Sequence, residues 1–502
     1  MSFNQQITPP KMHKKPHTTK IHGMNIDDPY FWFRNRELPE VKEHLMAENQ
    51  YTEKIMSPFS KIQESLWQEL KNRIKEADES YPVQRGDYFY YTKDLAGKEY
   101  KVYCRKHKSR EAKEEVILDL NQLAQDRDYL QLGDLKITPN NQWMAYSLDY
   151  DGSEEFVVYF KNLENAQTLP FTIKNTAPNF QWLNDNKTLF YLELDDKHRP
   201  NKVFRYEINN EPQKAQLIFE EKDPDYHVSL SKANSQQYLF LNIHSHATSE
   251  AWYMNANDTQ SEFKIISPRT KSVVYDVEDS GQNSFFVYTN KNATNFKILE
   301  ANIGEANEKN WREVISHREN VYISNFEVFK DRLILTERKN GLQHLRCFNH
   351  KTQQSSIIPV PEENCDIGGY VNYEFESPIY YFSYSSLITP LSVLSYNFTN
   401  QQVEVCKTKE VPTYDKSLYH TERIFAKSHD GKNIPISLLF KKDLLKDGTN
   451  PCYLYGYGSY GLNIVPYFRA NIFSLIDRGF IFAIAHIRRS STMGRPWYED
   501  GK

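Results

Sequence analysis

The sequence predicts a mainly β protein whose centre is a seven-bladed β-propeller, with a helical segment before it and the opening of an α/β unit after it. Three observations lead to this prediction. Aromatic residues make up 14% of the chain, and aromatic side chains favour strands. Strand-like runs return about every 50 residues through the middle of the chain, as propeller blades do. The ends differ, with helical periodicity near the start and a strand–turn–helix–strand order near the end.

Composition limits the classes of function. With 39% hydrophobic residues and a net charge of −4 over 502 residues, the chain can build packed cores and has no excess of basic charge. A disordered chain is therefore excluded, and neither nucleic acid nor a membrane is an expected partner. No secretory signal or long apolar run is visible, and the five cysteines are scattered without metal-binding spacing. We expect a cytoplasmic protein with no metal and no cofactor.

Residues 1–78 form the predicted N-terminal helical segment. The stretch 40–56 reads as one helix, and Pro58 separates it from a second. In the second, apolar residues recur every four positions and predict a helix to about Ala77. These residues are Ile62, Leu66, Leu70 and Ile74.

Residues 79–412 carry the repeat. Each strand-like run follows a polar turn, and most are followed by a second run. The seven runs begin at Tyr88, Trp143, Leu189, Tyr238, Phe285, Leu333 and Tyr380. A lone four-stranded blade cannot bury both of its faces, so the blades must stack around a ring. An array of β-sandwiches with accidental spacing is the alternative.

In residues 413–502 the pattern of predicted elements changes from the propeller repeat to a different order. Alternating runs around Asp430-Gly431 predict a hairpin, and CYLYGYGSYG (452–461) follows as a strand and turn. An amphipathic stretch (468–479) and an apolar strand (480–488) come next. This order opens an α/β unit with a parallel sheet.

Gly456, Gly458 and Gly461 formally match a dinucleotide-binding fingerprint. Pro466 falls where the required helix should run, so a tight turn that holds two tyrosines outward is the better interpretation. One of them, Tyr457, would lie at the carboxyl edge of the parallel sheet. A phenol there can donate a hydrogen bond to an oxyanion during acyl transfer, although packing is the commoner role of a tyrosine.

No nucleophile accompanies this turn. No two of the 18 glycines lie four apart, so the Gly-x-Ser-x-Gly elbow of hydrolases is absent from the sequence. His244 and His246 alternate on a predicted strand and are interpreted as surface or turn residues. The lysines near the start are interpreted as a solvated arm. They are Lys11, Lys14, Lys15 and Lys20.

Taken together, the motifs resemble the prolyl oligopeptidase family of serine peptidases, most closely its oligopeptidase B (protease II) branch. The resemblance runs over nearly the whole chain. It is carried by DPYFWFRN (28–35), EEKDPDYHVSLSKANSQQY (220–238), RENVYISNF (318–326), ERKNGLQHLR (337–346), YSSLITP (384–390), HDGKNIPISLLF (429–440), YGYGSYG (455–461), DRGFIFAIAHIR (477–488) and MGRPWYEDGK (493–502).

The resemblance implies a propeller that caps an α/β-hydrolase domain and admits only short peptides, with residues 1–78 packed on the hydrolase domain. The implied activity is cleavage after Arg or Lys by a Ser–Asp–His triad, so short basic peptides are the expected partners. By resemblance, Tyr457 is the catalytic oxyanion-stabilising tyrosine and Tyr460 binds substrate. The triad and the acidic residues that read the basic side chain lie beyond the point matching Lys502, so we expect a truncated, inactive hydrolase domain in 413–502.

Two departures and two alternatives remain. Val465 and Tyr467 stand where some members place acidic residues, which weakens a preference for paired basic residues. Arg489 stands where the family usually has glycine. If the turn needs a positive φ, an arginine there destabilises the fold relative to glycine. The alternatives are a catalytically dead propeller that binds peptides or proteins, and a split enzyme whose missing half is a separate chain.

Overall fold

A computed structural model describes residues 7–208, 210–305 and 308–501. The chain divides after Ile74 into two compact units. Short 3-10 helices lie at Phe31–Arg34, Ser57–Phe59, Pro212–Lys214, Glu308–Asn310, Lys416–Leu418 and Ala470–Ile472. Within the described ranges, no helix is long and apolar enough to cross a membrane.

The N-terminal unit contains a hairpin and two helices: β1 (Thr18–Ile21), β2 (Met24–Asp27), α1 (Pro39–Met56) and α2 (Ser60–Asn72). Pro39 at the first position of α1 suits helix initiation, because proline lacks the N–H that is left unbonded there. The second helix ends at Asn72, five residues before the predicted end at Ala77, because the chain turns at Arg73 and becomes extended at Asp78.

The second unit begins with three blades of antiparallel strands. Their strands are β3 (Asp78–Glu79), β4 (Val83–Arg85), β5 (Tyr88–Asp94), β6 (Val102–His107), β7 (Glu114–Asp119), β8 (Gln131–Ile137), β9 (Trp143–Asp149), β10 (Phe156–Asn162), β11 (Ile173–Trp182), β12 (Thr188–Leu194), β13 (Pro200–Glu207) and β14 (Gln216–Glu220). A short helix, α3 (Leu120–Leu123), follows β7. The long strand β11 joins blades two and three, because its start pairs with β10 and its end with β12.

Four further blades of four strands each complete the series. Their strands are β15 (His227–Lys232), β16 (Tyr238–His244), β17 (Ser249–Asn255), β18 (Lys264–Ser267), β19 (Tyr275–Asp279), β20 (Ser284–Thr289), β21 (Lys297–Asn302), β22 (Arg312–Ile315), β23 (Val321–Phe329), β24 (Arg332–Lys339), β25 (Leu342–Asn349), β26 (Ser355–Ile357), β27 (Cys365–Gly369), β28 (Ile379–Ser386), β29 (Ser392–Asn397) and β30 (Val403–Thr408). The predicted seven-bladed propeller is confirmed.

The hydrophobic cores lie between consecutive blades, as the stacking argument requires. In the core between blades three and four, Phe190 and Leu192 pack with Leu239 and Leu241, and all four are at most 1% exposed. The core between blades six and seven is rich in aromatic residues and includes Tyr380 and Phe382. Each blade therefore buries both faces only through its neighbours.

Side-chain contacts join blade one to blade seven and close the ring. Lys407 donates to the Asp78 carboxylate over 2.8 Å. The Tyr81 and Tyr381 rings lie with centroids 5.5 Å apart. Strands of blade one come from 78–119 and those of blade seven from 365–408, so the two blades exchange no strand.

The chain then forms a four-stranded mixed sheet of order β31-β32-β34-β33. Its elements are β31 (Tyr419–Lys427), β32 (Asn433–Lys441), β33 (Cys452–Gly456), α4 (Phe473–Ile476), β34 (Ile481–Ala485) and α5 (Arg495–Glu499). The predicted hairpin turns at Gly431, whose φ of 81° suits glycine. β33 and β34 pair in parallel, and α4, with Phe473 and Ile476 fully buried, connects them. The helical part of 468–479 is shorter than predicted.

Candidate active site

The candidate site is the sharp turn 457–461, which directly follows β33. A Cβ atom on Gly458 would lie 2.6 Å from the Arg488 carbonyl oxygen and 3.0 Å from the Ser490 backbone nitrogen. Only glycine allows this approach, which brings the turn into contact with the loop 486–492 after β34. Because β33 and β34 are parallel, both loops leave the same edge of the sheet.

The two tyrosines predicted for this turn point away from the core. Tyr457 is 39% exposed and Tyr460 is 74% exposed. Tyr457 follows the last residue of β33, at the carboxyl end of the parallel pair. Its phenol can therefore meet a ligand above the sheet edge. Tyr460 has a φ of 60°, an uncommon conformation for an aromatic residue.

The neighbouring loop holds the turn by backbone hydrogen bonds. The Gly461 N–H donates to the Arg489 carbonyl over 2.9 Å, and the Ser491 N–H donates to the Gly461 carbonyl over 3.2 Å. Arg489 has a φ of 69°, so this position does require the left-handed region that the sequence analysis considered. Rigid backbone on both sides fixes the position of the Tyr457–Tyr460 turn.

A propeller turn that the sequence analysis did not assign to the site lies beside the tyrosines. His246, in the turn between β16 and β17, has its ring centroid 6.3 Å from that of Tyr460. Its Nε2 lies 3.4 Å from the Tyr498 hydroxyl of α5. His244 instead ends β16 and faces His227, with ring centroids 6.0 Å apart. The sequence pattern, in which the two histidines simply alternate, did not indicate that only His246 would lie beside Tyr460.

Asn295 and Asn340 add two more contacts between propeller turns and the sheet. The buried Asn295 side chain accepts a hydrogen bond from the Arg495 N–H over 2.9 Å and donates to the Glu319 carbonyl over 2.7 Å. The Asn340 carbonyl accepts from the Arg423 guanidinium. The turns between the second and third strands of blades four to six therefore face the candidate site.

A buried serine–histidine pair lies below the sheet edge. The Ser437 hydroxyl and His486 Nε2 are 2.8 Å apart, a distance typical of a nucleophile and its base. Ser437 is fully buried, however, so no substrate can reach it. Burial, and then the charges of Arg423 and Arg338, lower the pKa of His486 to about 4, so the imidazole is neutral at pH 7. The pair is structural.

The described part of the chain contains no group of three or more His, Cys, Asp or Glu side chains that could hold a metal ion. All five cysteines are free, and Cys104, Cys347 and Cys365 are buried. The glycine-rich turn leads to no helix until the short elements at 470–476, which agrees with the tight-turn interpretation.

Comparison with known proteins gives one consistent answer. Residues 10–409 match the sequence model described as the prolyl oligopeptidase N-terminal β-propeller domain. The chain is 33% identical to dipeptidyl aminopeptidase BI of Pseudoxanthomonas mexicana, over 99% of this chain and 71% of that protein. It is 29% identical to protease 2 of Moraxella lacunata, over 97% of this chain and 71% of that protein.

Solved structures agree. Oligopeptidase B from Leishmania major superposes with a TM-score of 0.90 at 31% identity, covering 99% of this chain and 74% of that one. Oligopeptidase B from Trypanosoma brucei, solved in a closed form with covalently bound antipain, gives a TM-score of 0.89 at 27% identity, with the same coverage. The named relatives are peptidases, and the resemblance found in the motifs is confirmed. The chain belongs to the prolyl oligopeptidase family.

Proposed function

We propose that this protein forms part of a serine-type oligopeptidase. The enzyme would hydrolyse short peptides on the carboxyl side of Arg or Lys. In this proposal the propeller limits the size of the substrate. Tyr457 stabilises the oxyanion of the acyl-transfer intermediate, and Tyr460 contacts the substrate. The five free cysteines suit a reducing compartment, so we place the protein in the cytoplasm.

The placement of Tyr457 is the observation that carries the proposal. Its phenol is exposed at the carboxyl edge of a parallel sheet, where the contact of Gly458 with the Arg488 carbonyl fixes the backbone. A donor held in place before the reaction stabilises developing charge without further reorganisation. The His246 turn covers one side of the same place, so a peptide there would lie between the propeller and the sheet.

We propose that the 502-residue chain does not hydrolyse peptides by itself. Its sequence has no Gly-x-Ser-x-Gly elbow, and Ser437, the serine paired with His486, is inaccessible. Strand β33 is at the edge of the sheet, with Tyr453 45% exposed and Leu454 62% exposed. Such an edge can pair with a further strand, so a polypeptide that adds the nucleophile could dock there.

Two departures from the family pattern support a specificity for single basic residues. Val465 and Tyr467 occupy the positions beside the turn where an acidic pair would bind a second basic side chain. Neither carries a carboxylate, so neither can form an ion pair with a guanidinium or ammonium group. We therefore propose cleavage at one Arg or Lys without a strong preference for paired basic residues.

Complementation tests the proposal. The 502-residue chain would be mixed with a separately produced fragment of P. mexicana dipeptidyl aminopeptidase BI that spans the remainder of that relative. Hydrolysis of a fluorogenic Arg-amide peptide would be followed. We expect no turnover by either piece alone and turnover by the mixture. Tyr457→Phe should lower kcat by about 100-fold or more, as loss of an oxyanion donor does.

Tyr373→Phe is the matched control, because it removes a similarly exposed phenol from a loop of blade seven, away from this sheet. It should leave kcat within about twofold of the unchanged chain. Equal losses in the two variants would contradict the role of Tyr457. Unchanged turnover in Tyr457→Phe would do the same.

The closed ring favours a second function, that of a binding module. Seven blades and the Lys407–Asp78 closure make the propeller complete, whereas the edge of the sheet at β33 is open. In one form of this alternative, the chain binds short basic peptides without hydrolysing them. In the other, a separate chain binds to it and supplies the other half of a split enzyme. Isothermal titration with Arg-containing peptides would show binding without turnover in the first case. Co-purification would identify the partner in the second.

A further inference from the structure

A cavity of about 530 Å³ occupies one mouth of the propeller channel. Blades one to four and blade seven line it, mainly at the ends of their first strands. In an antiparallel blade, the first strand ends at the face opposite the turn between the second and third strands. The cavity is therefore on the side of the propeller away from the His246, Asn295 and Asn340 turns, outside the candidate active site.

Three cations line this mouth, and two of them lack a carboxylate partner. Lys136 lies 3.4 Å from the Asp134 carboxylate. Arg85 donates to the Ile137 carbonyl over 2.7 Å, and Lys232 donates to the Asn184 side-chain oxygen over 2.6 Å. Among the residues that the structure describes, neither Arg85 nor Lys232 has an acidic group within ion-pair distance.

Two nearby carboxylates accept hydrogen bonds from other groups. Glu374, the acidic residue of the lining, accepts the Gly86 N–H over 2.6 Å. Asp185 caps its own turn and accepts from the Thr188 N–H over 3.0 Å and from the Thr188 hydroxyl over 2.6 Å. The Asp185 charge favours the charged form of Lys232, but in the described part of the chain neither carboxylate lies within ion-pair distance of Arg85 or Lys232.

The Arg85 charge disfavours the charged form of Lys232. Burial, and then the nearby Arg85 charge, lower the pKa of Lys232 to about 8. A partly buried pair of like charges that faces an open cavity is unfavourable until an anion enters. A guanidinium can grip two oxygens of a carboxylate or phosphate at once, and an ammonium adds a point charge.

We propose that this mouth of the propeller binds a small molecule bearing phosphate or carboxylate groups, held between Arg85 and Lys232. The cavity volume suits a small metabolite rather than a bare ion. Tyr370 and Tyr373 line the same cavity, and the Tyr373 ring lies 5.8 Å from the Arg85 guanidinium, so aromatic surface adjoins the proposed anion position.

Isothermal titration of the full 502-residue chain at low ionic strength tests the proposal, with pyrophosphate and citrate as probes. We expect at least one of them to bind, with affinity lowered tenfold or more in Arg85→Gln and in Lys232→Gln. Binding of pyrophosphate alone would identify phosphate as the ligand chemistry, and binding of citrate alone would identify carboxylate. Lys187→Gln is the control, because it removes the same charge from an exposed turn residue of blade three.

Protection from acylation locates the site without a variant. At pH 8, an amine-reactive acylating reagent would be applied with and without the probe that binds, and modified lysines would be identified by mass spectrometry. The bound anion should slow acylation of Lys232 at least fivefold and leave Lys187 unchanged. The proposal is overturned if neither probe binds, if Lys187→Gln weakens binding as much as the other variants, or if Lys232 is not protected.

Discussion

Glu278 makes the stability of the propeller depend on pH. This side chain is on the innermost strand of blade five and accepts hydrogen bonds from the Asp279 N–H over 2.8 Å and the Asn234 N–H over 3.2 Å. Burial raises the pKa of Glu278 to about 8, and the Asp279 and Asp276 carboxylates contribute in the same direction. At neutral pH the folded protein therefore holds a proton that the unfolded chain releases.

The sign of the effect follows from that proton. Between about pH 4.5 and pH 8 the folded state binds more protons than the unfolded state, so the free energy of unfolding falls as pH rises through this window. One proton corresponds to about 1.4 kcal/mol per pH unit, or at most about 2.7 kcal/mol from pH 6 to pH 8. Because Glu278 is only partly buried, solvent screening reduces this change, and we expect about 1 kcal/mol.

Glu278→Gln should remove the contribution of Glu278 to this pH dependence. The amide oxygen can still accept both N–H groups, and the side chain cannot ionise. Scanning calorimetry at pH 6, 7 and 8 should show a shallower fall of Tm in Glu278→Gln than in the unchanged chain, by about 1 to 2 °C over the range. Glu404→Gln, at an exposed position of blade seven, should leave the slope unchanged. Parallel profiles for Glu278→Gln and the unchanged chain would refute the reasoning.

Two further predictions concern the turn and the ring closure. Arg489→Gly should be more stable than Arg489→Ala by about 1 kcal/mol in chemical denaturation, because only glycine accepts the φ of 69° without strain, and equal stabilities would contradict this. Lys407→Met should cost about 1 to 2 kcal/mol, because it leaves the partly buried Asp78 carboxylate unpaired. Hydrogen exchange should then accelerate in β3 and β30 but not in blade four, whereas uniform acceleration would argue against a local closure.

The sequence predicted the propeller from its second strands, and the structure explains why. In blade two, β9 has the sequence WMAYSLD and all but its first residue are buried, because blades pack on both of its faces. The first strands are less apolar: β8 reads QLGDLKI and β15 reads HVSLSK. Part of each first strand faces the central channel, so these strands contain no aromatic run that marks a blade in the sequence. Blade number could be predicted, but the strands that line the channel could not.

The parts of the candidate site that neighbouring residues determine could be predicted from the sequence. The glycines at 456, 458 and 461 predicted a tight turn with outward tyrosines, and the structure has one there. The contribution of His246 was not predictable, because more than two hundred residues separate it from Tyr460 and only the tertiary fold brings them together. The buried Ser437–His486 pair was also missed, since nothing in the local pattern links β32 to the end of β34.

Labelling of the 502-residue chain with a serine-reactive fluorophosphonate, alongside hydrolysis of an Arg-amide peptide, tests the central claim most directly. That claim is that this chain contributes the oxyanion side of a peptidase site and no nucleophile of its own. The account predicts no labelled serine and no turnover by the chain alone. A label on Ser437, or on any other serine of the chain, together with peptide hydrolysis would contradict it.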